Sequence, residues 1–146
     1  MNGIDLLVAG IALPITVLLG LVAHEWAHAL VLRLAGIDYD VVYFPDRRDG
    51  VLAALASCPW AAVHPRPTGD EPPWQLRTAA MIPFVLAVPA LVLATAFPSS
   101  HPAVAAVLVG WLACSIPSPQ DFSVAFYAHR VLEETAESAT VVTRFP

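Results

Sequence analysis

Apolar residues along the chain fall into three long blocks separated by short polar stretches, rather than into the amphipathic spacing of helices that pack in water. The first block predicts a helix over residues 6–35, with Asp5 placed to cap its start and Gly36 to stop it. About thirty helical residues rise roughly 45 Å, more than the ~30 Å hydrocarbon core of a bilayer, so this helix should tilt or project and kink at Pro14. The second block predicts a span over residues 76–97, in which Pro83 and Pro89 are tolerated through packing against neighbours. The third, 103–116, covers only ~21 Å as a helix, so the segment PSPQDF that follows begins while still at membrane depth.

Between the first two blocks, Tyr39 to Phe44 are β-branched and aromatic, Asp46 to Gly50 carry turn chemistry, and Val51 to Ser57 can return, which predicts a hairpin over 39–57. The alanine-rich second arm suits a helix as well. Residues 64–73, HPRPTGDEPP, hold four prolines and predict a loop at the membrane surface. A short amphipathic helix is expected over 122–137, and ATVVTRF, 139–145, as a last strand able to join the hairpin.

Composition turns this pattern into a class. A hydrophobic content of 58% with 13% charged residues, and a mean hydropathy of +0.67, lie outside the soluble range. The fold expected is a single mainly α integral membrane domain, 1–146, with three transmembrane helices and a small cytoplasmic-side β-hairpin or sheet. The N-terminus lacks the basic region of a signal peptide, so the first block is expected to be a retained span. The net charge is −5 and all seven basic residues are arginines, leaving no basic patch for nucleic acid. Cys58 and Cys114 stand far apart without CxxC spacing and suggest ordinary buried thiols. Arg33, Arg47, Arg48, Arg66 and Arg77 lie between the first and second spans and Arg130 and Arg144 after the third, which predicts a cytoplasmic C-terminus and an external N-terminus in the cell membrane. That topology brings the far end of the first helix and the PSPQDF segment to the same side.

One stretch breaks the apolar pattern: HEWAH, residues 24–28, fits H-E-x-x-H. On a helix His24 and His28 share a face and can offer imidazole nitrogens to one Zn²⁺, while Glu25 is placed to take a proton from metal-bound water. The competing reading is a hydrogen-bonded polar knot between helices, or chance. Chance is disfavoured because each charged group at helix centre costs about 2.5–3.5 kcal/mol of insertion energy. A catalytic zinc needs a third ligand, for which Asp121, Glu133, Glu134, His64, His101 and His129 are candidates. His101 falls in the external turn, His129 and Glu133 suit a solvated face, and His64 an interfacial loop. Asp121 is acidic, at membrane depth and on the correct side, and an intramembrane acid needs a partner. It can equally serve the start of the following helix, and the two roles are compatible.

HEWAHALVLRLAGID, then a hairpin, a second span and SIPSPQDF ending a third, resembles the three-helix core of the site-2 protease superfamily of intramembrane zinc metalloproteases. It looks most like a small, poorly characterised branch of membrane zincins in which a Ser-x-x-Asp segment replaces the longer Asn/Pro/Asp-Gly signature. The resemblance covers residues 5–145. It implies that His24, His28 and Asp121 are zinc ligands and Glu25 the general base, with a sheet beside the site to which an extended substrate segment adds. The chain departs from the main branch at Ala27, where Gly is usual, at Phe122, where Gly follows the Asp, and at 113–115, where Ala, Cys and Ser stand in place of a substrate-holding Asn.

The function expected is therefore a zinc metalloendopeptidase acting on membrane proteins or membrane peptides in or next to the bilayer. The alternative is a catalytically inactive metal-binding accessory or chaperone-like membrane protein. A metal carrier is a weaker third reading, because three short spans offer no second polar path through the bilayer.

Overall fold

A computed structural model describes residues 3–43, 61–96 and 101–144. The apolar first block forms one helix, α1 (Gly3–Ala35), which runs through Pro14. It ends in a Schellman motif: Gly36 takes φ 75°, its N–H donates to the Arg33 carbonyl at 3.2 Å, and the Ile37 N–H donates to Leu32 at 3.0 Å. A residue with a Cβ at position 36 would be strained at that φ. The turn brings Ile37 against Leu32, both 2% exposed, and launches β1 (Asp38–Tyr43).

β1 pairs antiparallel with β2 (Ala61–Arg66), Asp38 opposite Arg66 and Tyr43 opposite Ala61. This bears on two expectations, of which the second is corrected. Residues 51–57, expected as the returning arm of the hairpin, lie outside the described residues, and 64–66, expected in a loop, belong to the strand. The prolines hid it. The Val63 N–H points away from β1, and Pro65, two residues on, shares that side, so its missing N–H takes nothing from the ladder. Arg66 pairs with Asp40 across the sheet.

A tight loop leads to α2. Burial pushes the Glu71 carboxyl up, but the Thr68 amide and hydroxyl and the Gly69 amide donate to it and hold it below the usual carboxylate range. The second block then forms α2 (Pro73–Met81), a 3₁₀ segment (Ile82–Leu86) and α3 (Ala87–Ala96), with Pro83 in the tighter segment. The third forms α4 (Pro102–Cys114), followed after a break by α5 (Pro119–Arg144), which bends at Tyr127. Residues 139–144 thus continue a helix and are not the expected last strand. Their β-branched side chains favour a strand only beside a sheet edge, whereas an existing helix gains one hydrogen bond per residue by continuing.

Helix α1 packs chiefly on α4, and α2 on α5. The core sits beside the sheet: Leu32, Ile37, Leu76, Ala79, Ala128 and Leu132 form one buried cluster. Burying a leucine such as Leu76 fully contributes about 1.5–3 kcal/mol. The buried residues of α1 are Thr16, Gly20, His24, His28 and Leu32, a single stripe at four-residue spacing. The remaining faces are apolar and exposed, as at Leu7 (63%), Leu19 (60%) and Trp26 (66%). Among the described residues three helical stretches are long and apolar enough to cross a membrane: Gly3–Ala35, Pro73–Ala96 and Pro102–Ser138.

Candidate metal centre

The stripe on α1 carries both histidines of HEWAH inward, each 7% exposed, because they lie one helical turn apart. Their rings meet edge to face with centroids 4.8 Å apart. Each ring is held from behind by a backbone carbonyl. His24 Nδ1 lies 2.7 Å from the Cys114 oxygen at the end of α4, and His28 Nδ1 lies 2.6 Å from the Ala79 oxygen in α2. A carbonyl only accepts, so both Nδ1 atoms carry the proton and donate. In each neutral ring the lone pair is then on Nε2.

Both Nε2 atoms converge on one carboxylate. His24 Nε2 is 3.4 Å from Asp121 Oδ2 and His28 Nε2 is 3.3 Å from Oδ1. Asp121 is aimed by a reciprocal cap at the start of α5. The Ser118 N–H donates to Oδ2 at 2.6 Å, the Asp121 N–H donates to the Ser118 Oγ at 3.1 Å, and Pro119 occupies the first helical position. Capping and convergence on the histidines therefore coexist in one side chain.

Three acceptors facing one another without a donor between them repel. A cation satisfies all three. A proton on each Nε2 would set two imidazoliums on a single partly buried carboxylate, an excess of charge in apolar surroundings, and a proton on one alone would leave the other Nε2 facing the carboxylate without a donor. Among the described residues, His24, His28 and Asp121 are the group of His, Cys, Asp and Glu able to hold a metal ion, their ligand atoms all within 4.8 Å of one another. The other candidate ligands stand elsewhere: His64, His101, His129, Glu133 and Glu134 are exposed.

Glu25, beside the cluster on α1 and partly buried, accepts the Val63 N–H of β2 on Oε2 at 3.1 Å. The bond ties the sheet to the helix. An ionised carboxylate has about four acceptor positions, so one amide leaves capacity for water.

Sequence reasoning named the three residues that meet here and could hold a metal ion, but not the carbonyls behind them, because a backbone acceptor has no residue-type signal. It also missed Gly20. A Cβ there would lie 2.8 Å from the Cys114 Cβ and 2.9 Å from its Sγ, so only glycine lets α4 approach closely enough for the Cys114 carbonyl to meet His24. Gly20→Ala is expected to lower stability by about 1–3 kcal/mol in thermal unfolding of detergent-solubilised protein and to weaken zinc binding. Gly10→Ala, which meets open space, should change neither.

Comparison of the chain with protein-family models, with curated proteins and with solved structures finds no match.

Proposed function

We propose that this chain is a site-2 protease-like intramembrane zinc metallopeptidase, cutting peptide bonds in or next to a bilayer. The observation that carries the reading is the convergence of two Nδ1-donating histidines and one carboxylate, their ligand atoms all within 4.8 Å of one another, with a second carboxylate, Glu25, next to them. The wide apolar exposure of α1 supports insertion in lipid, since soluble chains rarely carry apolar surface on that scale. The arginine distribution supports an external N-terminus and a cytoplasmic C-terminus in the cell membrane, with the metal centre towards the cytoplasmic side.

His24, His28 and Asp121 would hold the ion. Zinc bound there would supply Lewis acidity for peptide hydrolysis. Glu25 takes a proton as water adds to the carbonyl carbon, then delivers it to the amine nitrogen as the C–N bond breaks. The Val63 amide holds Glu25 in place, and the two-stranded sheet beside the carboxylate is where an extended segment can lie. A helical substrate must unwind before it can do so. Transmembrane segments with helix-weakening residues, or short membrane peptides, are thus the substrate class.

Purified protein in detergent, given a panel of membrane-segment peptides, should cut at least one. Chelation should abolish cutting and Zn²⁺ restore it. A second reading, a catalytically silent metal-binding accessory protein, is favoured by the same Glu25–Val63 bond, which gives Glu25 a purely architectural role. Cutting that chelation does not affect would overturn the zinc mechanism.

A further inference from the structure

The two carbonyls that orient the histidines come from places where an α-helix fails to close its own hydrogen bond. In an α-helix the Ala79 carbonyl accepts from the N–H four residues on, and that residue is Pro83, which has none. The carbonyl instead takes His28 Nδ1 at 2.6 Å. The Cys114 carbonyl would accept from Ser118. There the chain breaks between Pro117 and Pro119, the Ser118 N–H turns to Asp121 Oδ2 at 2.6 Å, and the carbonyl takes His24 Nδ1 at 2.7 Å. One unmade helical bond at Cys114 thus serves a histidine with its acceptor and the carboxylate with its donor.

We propose that Pro83 is a positioning residue of the metal centre: by lacking an N–H it keeps the Ala79 carbonyl open for His28 Nδ1 and so fixes Nε2 towards Asp121. Pro83 is fully buried, in the 3₁₀ segment directly after α2. Pro83 lies in the first turn of the 3₁₀ segment, where a proline is well tolerated, but a residue with an N–H would be tolerated there too and could extend α2 by another bond. Pro89, further along the same stretch, stands four residues after Val85, whose carbonyl orients no histidine in the cluster, and serves as the control.

The inference rests on the metal reading, and two measurements separate them. The first is Zn²⁺ affinity of the full chain in detergent, by competition with a chromophoric chelator. The second is the ¹⁵N spectrum of the histidine rings without metal, which reports the tautomer. Pro83→Ala supplies an amide that competes for the Ala79 carbonyl, and zinc affinity should fall about tenfold to a hundredfold, the usual effect of losing a ligand's hydrogen-bond partner. The His28 signals should lose their Nδ1–H signature while the thermal midpoint stays level or rises. Pro83→Val keeps the buried bulk and should act alike, which covers collapse of the smaller variant. Pro89→Ala should leave affinity and ring signals unchanged.

Zinc affinity within about twofold of wild type with unchanged His28 signals, in a folded Pro83 variant, overturns the proposal. A fall in affinity accompanied by an equal fall in Pro89→Ala, or by a lower midpoint with intact ring signals, assigns Pro83 a merely structural role and overturns it as well. If wild type binds no zinc, the metal reading fails, and the ring spectra alone still decide whether Pro83 positions His28.

Discussion

Glu25→Gln is expected to lower peptide cutting by about 10²- to 10⁴-fold while leaving bound zinc at the wild-type level. Glutamine keeps the length of the side chain and an oxygen able to accept the Val63 N–H, so the tie between α1 and β2 survives. What it loses is the ability to take up a proton. The substitution therefore separates the proposed proton transfer by Glu25 from the tie to Val63 that the structure shows. Glu25→Ala removes both and should additionally loosen β2, seen as faster amide exchange at Val63. If wild type and Glu25→Gln behave identically across a broad peptide panel, the peptidase reading loses its basis and the metal-binding accessory reading takes its place.

How far the site could be read in advance follows from which of its parts are side chains. HEWAH states its own geometry, because a four-residue spacing on a helix dictates a shared face and the apolar surroundings make polar residues expensive. Asp121 followed from topology: the short third block and the arginine positions put it at the same end as His24, nearly a hundred residues away in sequence. The sheet was legible as an element but not in its partner strand, since Pro65 and Pro67 argue for a loop unless the side on which the missing N–H falls is known. The helical run over 139–144 was obscured by Val141, Val142 and Thr143, whose propensity yields to continuation of α5. The orienting carbonyls of Ala79 and Cys114 had no signal of their own. Their trace in the sequence is the proline four residues on in one case and the Pro117–Pro119 pair in the other.

In the proposed metal centre Asp121 carries two functions in one carboxylate, and the second large effect expected is that they come apart on substitution. Asp121→Ala removes the proposed zinc ligand together with the reciprocal cap at Ser118. Zinc affinity should drop by more than the about 10–100-fold typical of losing an orienting partner, since a ligand itself is gone. Losing the cap should cost about 0.5–2 kcal/mol of stability without metal present. Asp121→Asn keeps an oxygen to accept the Ser118 N–H, so the apoprotein should unfold near the wild-type midpoint. Yet its zinc affinity should still fall steeply, because a neutral amide neither offers both oxygens to the two histidine edges nor balances the charge of the ion. Ser118→Ala gives the converse: the side-chain half of the cap is lost, the carboxylate keeps its charge, and zinc binding should suffer less than in either Asp121 variant. Metal content and thermal unfolding of the three proteins, measured side by side, decide the assignment. Full zinc occupancy in Asp121→Ala would leave the carboxylate as a helix cap that happens to face two histidines.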